Sequence, residues 1–238
     1  LNAIEIGSEG LCVRLDNGLR LAWDPGEMRT SPSMLIASGD YEPEELTAVC
    51  SLASECDLVL DIGANVGWYS LHVARVVGPQ GGRVIAFEPV PATFAALERS
   101  LALNPERRWI KAEPLGLSDV EGRFEFTIPS RTGSVAASRR AILPSEGGTV
   151  VECELTTLDS YAETHELSRV GLIKCDVEGA ELLVLEGGKR TLERDRPMIV
   201  LEMLRKWSAV YGYQPDDVIS FLSPIGYTCW ALRAGRFV

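Results

Sequence analysis

Between Leu58 and Val77 a short apolar run, LVLD, passes straight into the glycine-rich DIGANVG (Asp61 to Gly67) and then into apolar side chains at helical spacing. A strand that turns on glycines directly into a helix commits the chain to a βα unit, because glycine alone tolerates the positive φ and close backbone approach of such a turn. The unit repeats. RVIAFE (83 to 88) reads as the next strand, and PATFAALERSLALN (91 to 104) as a helix with Pro91 at its first position and its end before Pro105. A third strand fits 109 to 115, a fourth GLIKCD (171 to 176) and a fifth IVLEM (199 to 203), with a helix over 179 to 194 between the last two. Strands alternating with helices specify an α/β fold, a doubly wound and mostly parallel sheet.

Elsewhere the pattern changes. RFEFTI (123 to 128) and VVECEL (150 to 155) alternate with period two, as half-exposed antiparallel strands do. The polar stretch between them, Pro129 to Thr149, carries Arg131, Gly133, Ser134, Arg139 and Arg140; a loop of this length is expected to be either a functional lid or a solvated loop. DDVISFLSPIG (216 to 226) is expected to form a last helix and YTCWAL (227 to 232) a last strand. Near the start, LCVRL and LRLAW flank Asp16-Asn17-Gly18, a β-hairpin signal. The expected organisation is therefore an N-terminal β-hairpin and lead-in over 1–45, followed by one core domain over 46–238. With 238 residues, 46% of them apolar, the chain suffices for one such core. It starts at Leu1 without a Met, and the last strand of the fold is barely begun at Val238, so a trimmed chain or a piece of a longer protein is expected.

Charge narrows the partners. The net charge is -11, with no run of basic residues, which argues against nucleic acid and against an anionic membrane surface. No stretch approaches the roughly 18 apolar residues of a membrane span. Cys12, Cys50, Cys56, Cys153, Cys175 and Cys229 include no C-x-x-C pair, and His72 and His165 lie far apart, so a zinc site has no support. Free thiols suit a cytoplasmic location.

Glu88 gives the glycine turn its chemical meaning. It ends the second strand 21 residues beyond Gly67, where an acid can accept hydrogen bonds from both hydroxyls of a bound ribose. The turn is not the dinucleotide fingerprint G-x-G-x-x-G, because Asn65 and Trp68 stand where its second and third glycines would be. A nicotinamide-dependent oxidoreductase is disfavoured on that ground, and a nucleoside without a pyrophosphate fits better. S-adenosylmethionine is such a ligand, with Asp61 and the turn backbone at its amino acid end and Glu88 at its ribose.

The motifs together resemble the FkbM-type S-adenosylmethionine-dependent methyltransferases: LVLDIGANVGWYSLHVARVVGPQGGRVIAFEPVPATFAALERSLALN, then LGLSDVEGRFEF, TTLDSY, LIKCDVEGAELLVLEGG and RPMIVLEM. GDYEPEE (39 to 45) is similar to the family's lead-in. Departures fall at Trp68, His72 and Leu115-Gly116. The resemblance implies a seven-stranded class I methyltransferase (Rossmann-like) fold and methyl transfer to a hydroxyl of a small molecule: a natural product, sugar or lipid-like acceptor. It implies cofactor contacts at Asp61, Gly63, Asn65, Gly67 and Glu88, with Leu117 and Ser118 near the adenine and Asp176 near the methionine end.

Methylating an alcohol calls for a base or an electrostatic assistant. Asp176, Glu178 and Glu202 stand at or just past strand ends, and Asp176 and Glu202 are the expected catalytic residues; the alternative for Asp176 is to orient the cofactor or cap the next helix. Lys174 shares a strand face with Asp176 and can pair with it. No resident metal is expected, although the three carboxylates leave Mg²⁺ open as an alternative. His72 reads as a helix residue, His165 as a residue of a solvated turn and a secondary base candidate, and Trp207, Tyr211 and Tyr213 as a substrate wall or plain aromatic packing. A scaffold that kept this fold without its chemistry is the competing reading. Nucleic-acid N-methylation is disfavoured, since the fourth strand ends in DVEG rather than a proline-rich amine clamp.

Overall fold

The computed structural model describes residues 3–7, 10–27, 30–129 and 148–238. Strands β1 (Ala3–Gly7), β2 (Gly10–Arg14) and β3 (Arg20–Ala22) form an antiparallel sheet, followed by helices α1 (Ser31–Ser38) and α2 (Pro43–Ala53). The predicted hairpin is the β2–β3 pair, turned at Gly18 with φ of 89°. The sequence reading missed β1, α1 and α2.

The core follows as β4 (Leu58–Ile62), α3 (Trp68–Val77), β5 (Arg83–Phe87), α4 (Pro91–Ala102) and β6 (Ile110–Glu113). Next come β7 (Gly116–Leu117), β8 (Gly122–Pro129), β9 (Gly148–Thr156) and α5 (Leu158–Thr164). Then β10 (Leu172–Cys175), α6 (Glu181–Gly187), α7 (Lys189–Asp195), β11 (Met198–Leu201), α8 (Arg205–Tyr211) and α9 (Pro215–Leu222) complete it. Five strands form the parallel sheet in the order β11-β10-β4-β5-β6, with the chain reversing direction between β4 and β10. Ligands of open α/β sheets sit at such a reversal, outside the carboxyl ends of the strands.

Successive residues of a strand face opposite ways, and both faces are covered. Val59, Val84, Ala86 and Leu172 pack towards α2, α3 and α4. Leu58, Leu60, Ile62, Ile85, Phe87, Ile173 and Cys175 pack towards α5, α6, α7 and α9. Each fully buried large side chain, such as Phe87, Leu60 or Ile62, contributes about 1.5–3 kcal/mol. Val13, Leu15, Leu19 and Leu21 of the N-terminal sheet join the first of these clusters. Among the described residues no helix is long and apolar enough to cross a membrane.

Two expectations need correction. The helix over 179 to 194 is two helices, because Gly187 lies against the Ser118 carbonyl and Gly188 against Leu158, and the chain bends to keep both contacts. YTCWAL does not join the sheet, and among the described residues the central sheet has five strands where the resemblance implied seven. Its end pairs locally instead, with β12 (Leu232–Arg233) against β13 (Arg236–Phe237) around Ala234 and Gly235, both at positive φ. That turn favours a local hairpin, and Ala231 exchanges both backbone hydrogen bonds with Val238 at 2.9 Å instead of with β11.

Candidate active site

The glycine turn after β4 is fastened to the end of β5. The Gly63 and Ala64 N–H groups donate to the Phe87 carbonyl (3.0 and 2.9 Å), and the Asn65 N–H donates to Glu88 Oε2 (3.0 Å). Asn65 adopts φ of 51°, and its own Oδ1 accepts from the Val66 N–H at 2.8 Å. These donors are spent within the protein, so the turn offers a ligand close approach rather than free N–H groups. Gly63 is required twice over: its φ is 77°, and a Cβ there would collide with the Asp176 carbonyl. Gly63→Ala should therefore lose about 2 kcal/mol or more of stability by urea denaturation; a loss below about 0.5 kcal/mol would mean that the turn relaxes freely.

Glu88, 6% exposed, holds the Val90 N–H on Oε1 (3.0 Å) as well as Asn65 on Oε2. Burial pushes its carboxyl up to about 7, against the two backbone hydrogen bonds and Lys174, which act downward. It lines a cleft of about 290 Å³ with Gly63, Asn65, Trp68, Asp176, Glu178 and Glu202. Past Gly63, Phe126 and Val177 the cleft adjoins a slot of about 40 Å³ that contains Leu117 and Ser118. Asp61 and Gly67 lie behind these walls.

Asp61 instead anchors a buried ionic cluster. Parallel register sets Lys174 beside it on the same face of the sheet. The Lys174 ammonium lies 3.5 Å from Asp61 Oδ1 and 3.6 Å from Asp176 Oδ2, and donates to the Gly63 carbonyl at 3.3 Å. Burial acts to lower the Lys174 pKa, but Asp176 and Asp61 outweigh it and raise it. The Ser70 hydroxyl closes the cluster by donating to Asp61 Oδ2 at 2.5 Å.

Beyond Asp176 the chain turns through Glu178 (φ 55°) and Gly179 (φ 95°). Glu181 braces the turn, accepting from the Val177 and Gly179 N–H groups at 3.1 and 3.0 Å. Asp176 thus does not cap the next helix, which begins at Glu181 with Ala180 in the cap position. Burial, then Asp176 and Glu181, push Glu178 up to about 8. Glu202 is exposed at the cleft mouth; the protein packed around its carboxyl, the charge of Asp176 and a hydrogen bond with Asp176 raise its pKa. Among the described residues no three His, Cys, Asp or Glu side chains converge to hold a metal ion.

The other candidates separate. His72 bonds the Trp68 carbonyl (2.8 Å) and Asn17 (3.1 Å), fastening the hairpin to α3. His165 stacks on Tyr161, away from the cleft. Trp207 lines the cleft and Tyr211 the slot, whereas the Tyr213 hydroxyl donates to the Gly179 carbonyl at 2.8 Å. Arg131, Gly133, Ser134, Arg139 and Arg140 lie outside the described residues. Sequence reasoning missed Glu42 and Tyr69, which both line the cleft and are joined by a 2.6 Å hydrogen bond from the Tyr69 hydroxyl. Only the GDYEPEE motif pointed towards Glu42.

A family model described as the methyltransferase FkbM domain matches residues 61–229. The methyltransferase sdnD of Sordaria araneosa is 33% identical over 155 residues, 54% of this chain and 59% of that protein. The hexuronic acid methyltransferase AglP of Haloferax volcanii is 29% identical over 184 residues, 76% of this chain and 68% of that protein. The chain thus spans about six-tenths of the length of sdnD. A Klebsiella pneumoniae crystal structure, described as a candidate O-methyltransferase, shares the fold with a TM-score of 0.50 at 14% identity, covering 90% of this chain and 87% of that one.

Proposed function

The chain belongs to the FkbM methyltransferase domain family, and from that premise we propose that it is an S-adenosylmethionine-dependent O-methyltransferase acting on a hydroxyl of a small natural product, sugar or lipid-like acceptor. The observation that carries this reading is Glu88, whose two oxygens are aimed by backbone N–H groups on the wall of a cleft beside a glycine turn. The fit of the cofactor rests on groups the protein leaves unpaired. The buried Trp68 indole N–H and Glu178 Oε2 belong to residues of the cleft wall and have no hydrogen-bond partner among the described residues. In this reading Glu88 accepts from the ribose hydroxyls, Leu117 and Ser118 flank the adenine, and Asp176 stands near the methionine end. The name of AglP refers to a hexuronic acid, which supports a hydroxylated acceptor. Six unpaired cysteines support a cytoplasmic location.

The cofactor supplies an electrophilic methyl group on a sulfonium; the protein supplies alignment and a place for the proton. Asp176 takes the proton of the acceptor hydroxyl as the oxygen attacks. Lys174 keeps that carboxylate in place from below, and Glu202, with its raised pKa, hydrogen-bonds to it from the mouth.

The test is calorimetric titration with S-adenosylhomocysteine from pH 6 to 9. A carboxyl at about 7 is largely protonated at pH 6, while a ribose with two hydroxyl donors selects the ionised form. Affinity should thus rise about tenfold between pH 6 and 8 and then level off. Glu88→Gln should bind weakly with no such rise. Absence of binding by the wild type would overturn the cofactor, and a pH-independent affinity would overturn the role of Glu88.

A further inference from the structure

Glu42 is the one residue of the lead-in segment whose carboxylate both lines the cleft and is gripped by the helix that follows the glycine turn. Its backbone is held at φ 47°, ψ 51°, a left-handed conformation, immediately before Pro43. Sterics disfavour that combination for a non-glycine residue, and it persists only where the surroundings hold it. Here the holding contacts are the Tyr69 hydroxyl, donating to Glu42 Oε2 at 2.6 Å, and the Tyr41 ring, set edge-on to Trp68 at 5.7 Å. Burial and then the Glu42 charge raise the pKa of Tyr69, so its hydroxyl remains a donor.

Charge completes the argument. Lys174 approaches the Tyr69 ring at 4.8 Å and feels the Glu42 charge, but its ammonium comes within ion-pair distance of Asp61 and Asp176 and not of Glu42. Among the described residues Glu42 makes no salt bridge, and it stands in a cleft that also holds Asp176, Glu178 and Glu202. A carboxylate held by the neutral hydroxyls of Tyr69 and Tyr41 in an acid-rich cleft, with no cation at ion-pair distance among the described residues, is prepared for one that a ligand brings.

We propose that Glu42 is a cofactor-selecting residue that accepts hydrogen bonds from the α-ammonium group at the amino acid end of the methyl donor, with Tyr69 as its positioning residue. The inference rests on the cofactor reading above and goes beyond it, because Glu42 lies outside the residues matched by the family model. Specificity would follow. A nucleoside that lacks the amino acid end gains nothing from Glu42, whereas one that carries it gains a charge-assisted hydrogen bond.

The experiment compares S-adenosylhomocysteine with 5′-methylthioadenosine, which shares the adenosine and thioether but has no ammonium, on wild type, Glu42→Gln and Tyr69→Phe. Glu42→Gln should weaken the homocysteine compound about tenfold or more and leave methylthioadenosine within about twofold. Tyr69→Phe should shift the same ratio in the same direction by a smaller factor, and it tests the proposal through a second residue if Glu42→Gln folds poorly. Equal weakening of both ligands would mark Glu42 as merely structural and overturn the proposal, as would no change in either. If the wild type bound neither nucleoside, the cofactor reading itself would fall; if it bound both and the ratio stayed fixed, only the role of Glu42 would.

Discussion

Lys174→Met is expected to lower the free energy of unfolding by about 3–5 kcal/mol, the range for removing one partner of a buried ion pair. The lysine is 7% exposed, and its ammonium is the cation that faces both Asp61 and Asp176. Asp61 is 2% exposed, and its Oδ1 accepts no hydrogen bond among the described residues, so without Lys174 this oxygen keeps a charge with no described cation opposite it. Methionine fills the volume of the lysine stem, which keeps a cavity from contributing to the loss. Urea denaturation at unchanged m value measures the effect. Adding Asp61→Asn to the variant should recover part of the stability, because the stranded charge goes with it. A single-variant loss below about 1 kcal/mol would show that water reaches Asp61 and that the pair is not desolvated.

Asp176→Asn should lower kcat by about 10²–10⁴-fold, the usual contribution of a positioned base, while S-adenosylhomocysteine binds within about threefold of wild type. The amide preserves the shape of the side chain at the end of β10 and its distance from Lys174 but cannot take the hydroxyl proton. Glu202 does not replace it readily, since the protein packed around its carboxyl and the neighbouring Asp176 charge raise its pKa and weaken it as an ionised acceptor. Initial rates at saturating cofactor, paired with calorimetry, separate the two roles of Asp176. A loss of affinity as large as the loss of kcat would make Asp176 a cofactor ligand, and an unchanged kcat would remove it from proton transfer.

What could be read in the sequence was local. The glycine turn, Glu88 at the end of the next strand, Pro91 at the start of α4 and the alternation of β8 and β9 each depend on neighbours along the chain, so backbone sterics and side-chain periodicity expose them. What could not be read depends on distant partners. Tyr69 meets Glu42 across 27 residues and His72 meets Asn17 across 55, and nothing in the spacing of either pair announces the contact. The break between α6 and α7 escaped because the LLVL run keeps helical periodicity while Gly187 answers to Ser118, far back in the chain. YTCWAL misled in the opposite direction: its composition suits a strand, but a strand forms only beside a partner, and the Ala234-Gly235 turn offered one nearer than β11.

The N-terminal sheet grips α3, which lines the cleft, and α4 with the residues just after it. The Arg20 N–H donates to Asn104 Oδ1 at 2.9 Å, the Ala22 N–H to Ser100 Oγ at 2.9 Å, and Arg75 reaches the Asn17 carbonyl at 2.8 Å. Anyone shortening this chain for expression or fusion should accordingly treat residues 10 to 23 as the outer wall of the core domain. Trimming at residue 46 would bare the apolar sides of α3 and α4 to solvent and would also discard Glu42, turning an apparent tidying of the terminus into a change in the wall of the cleft.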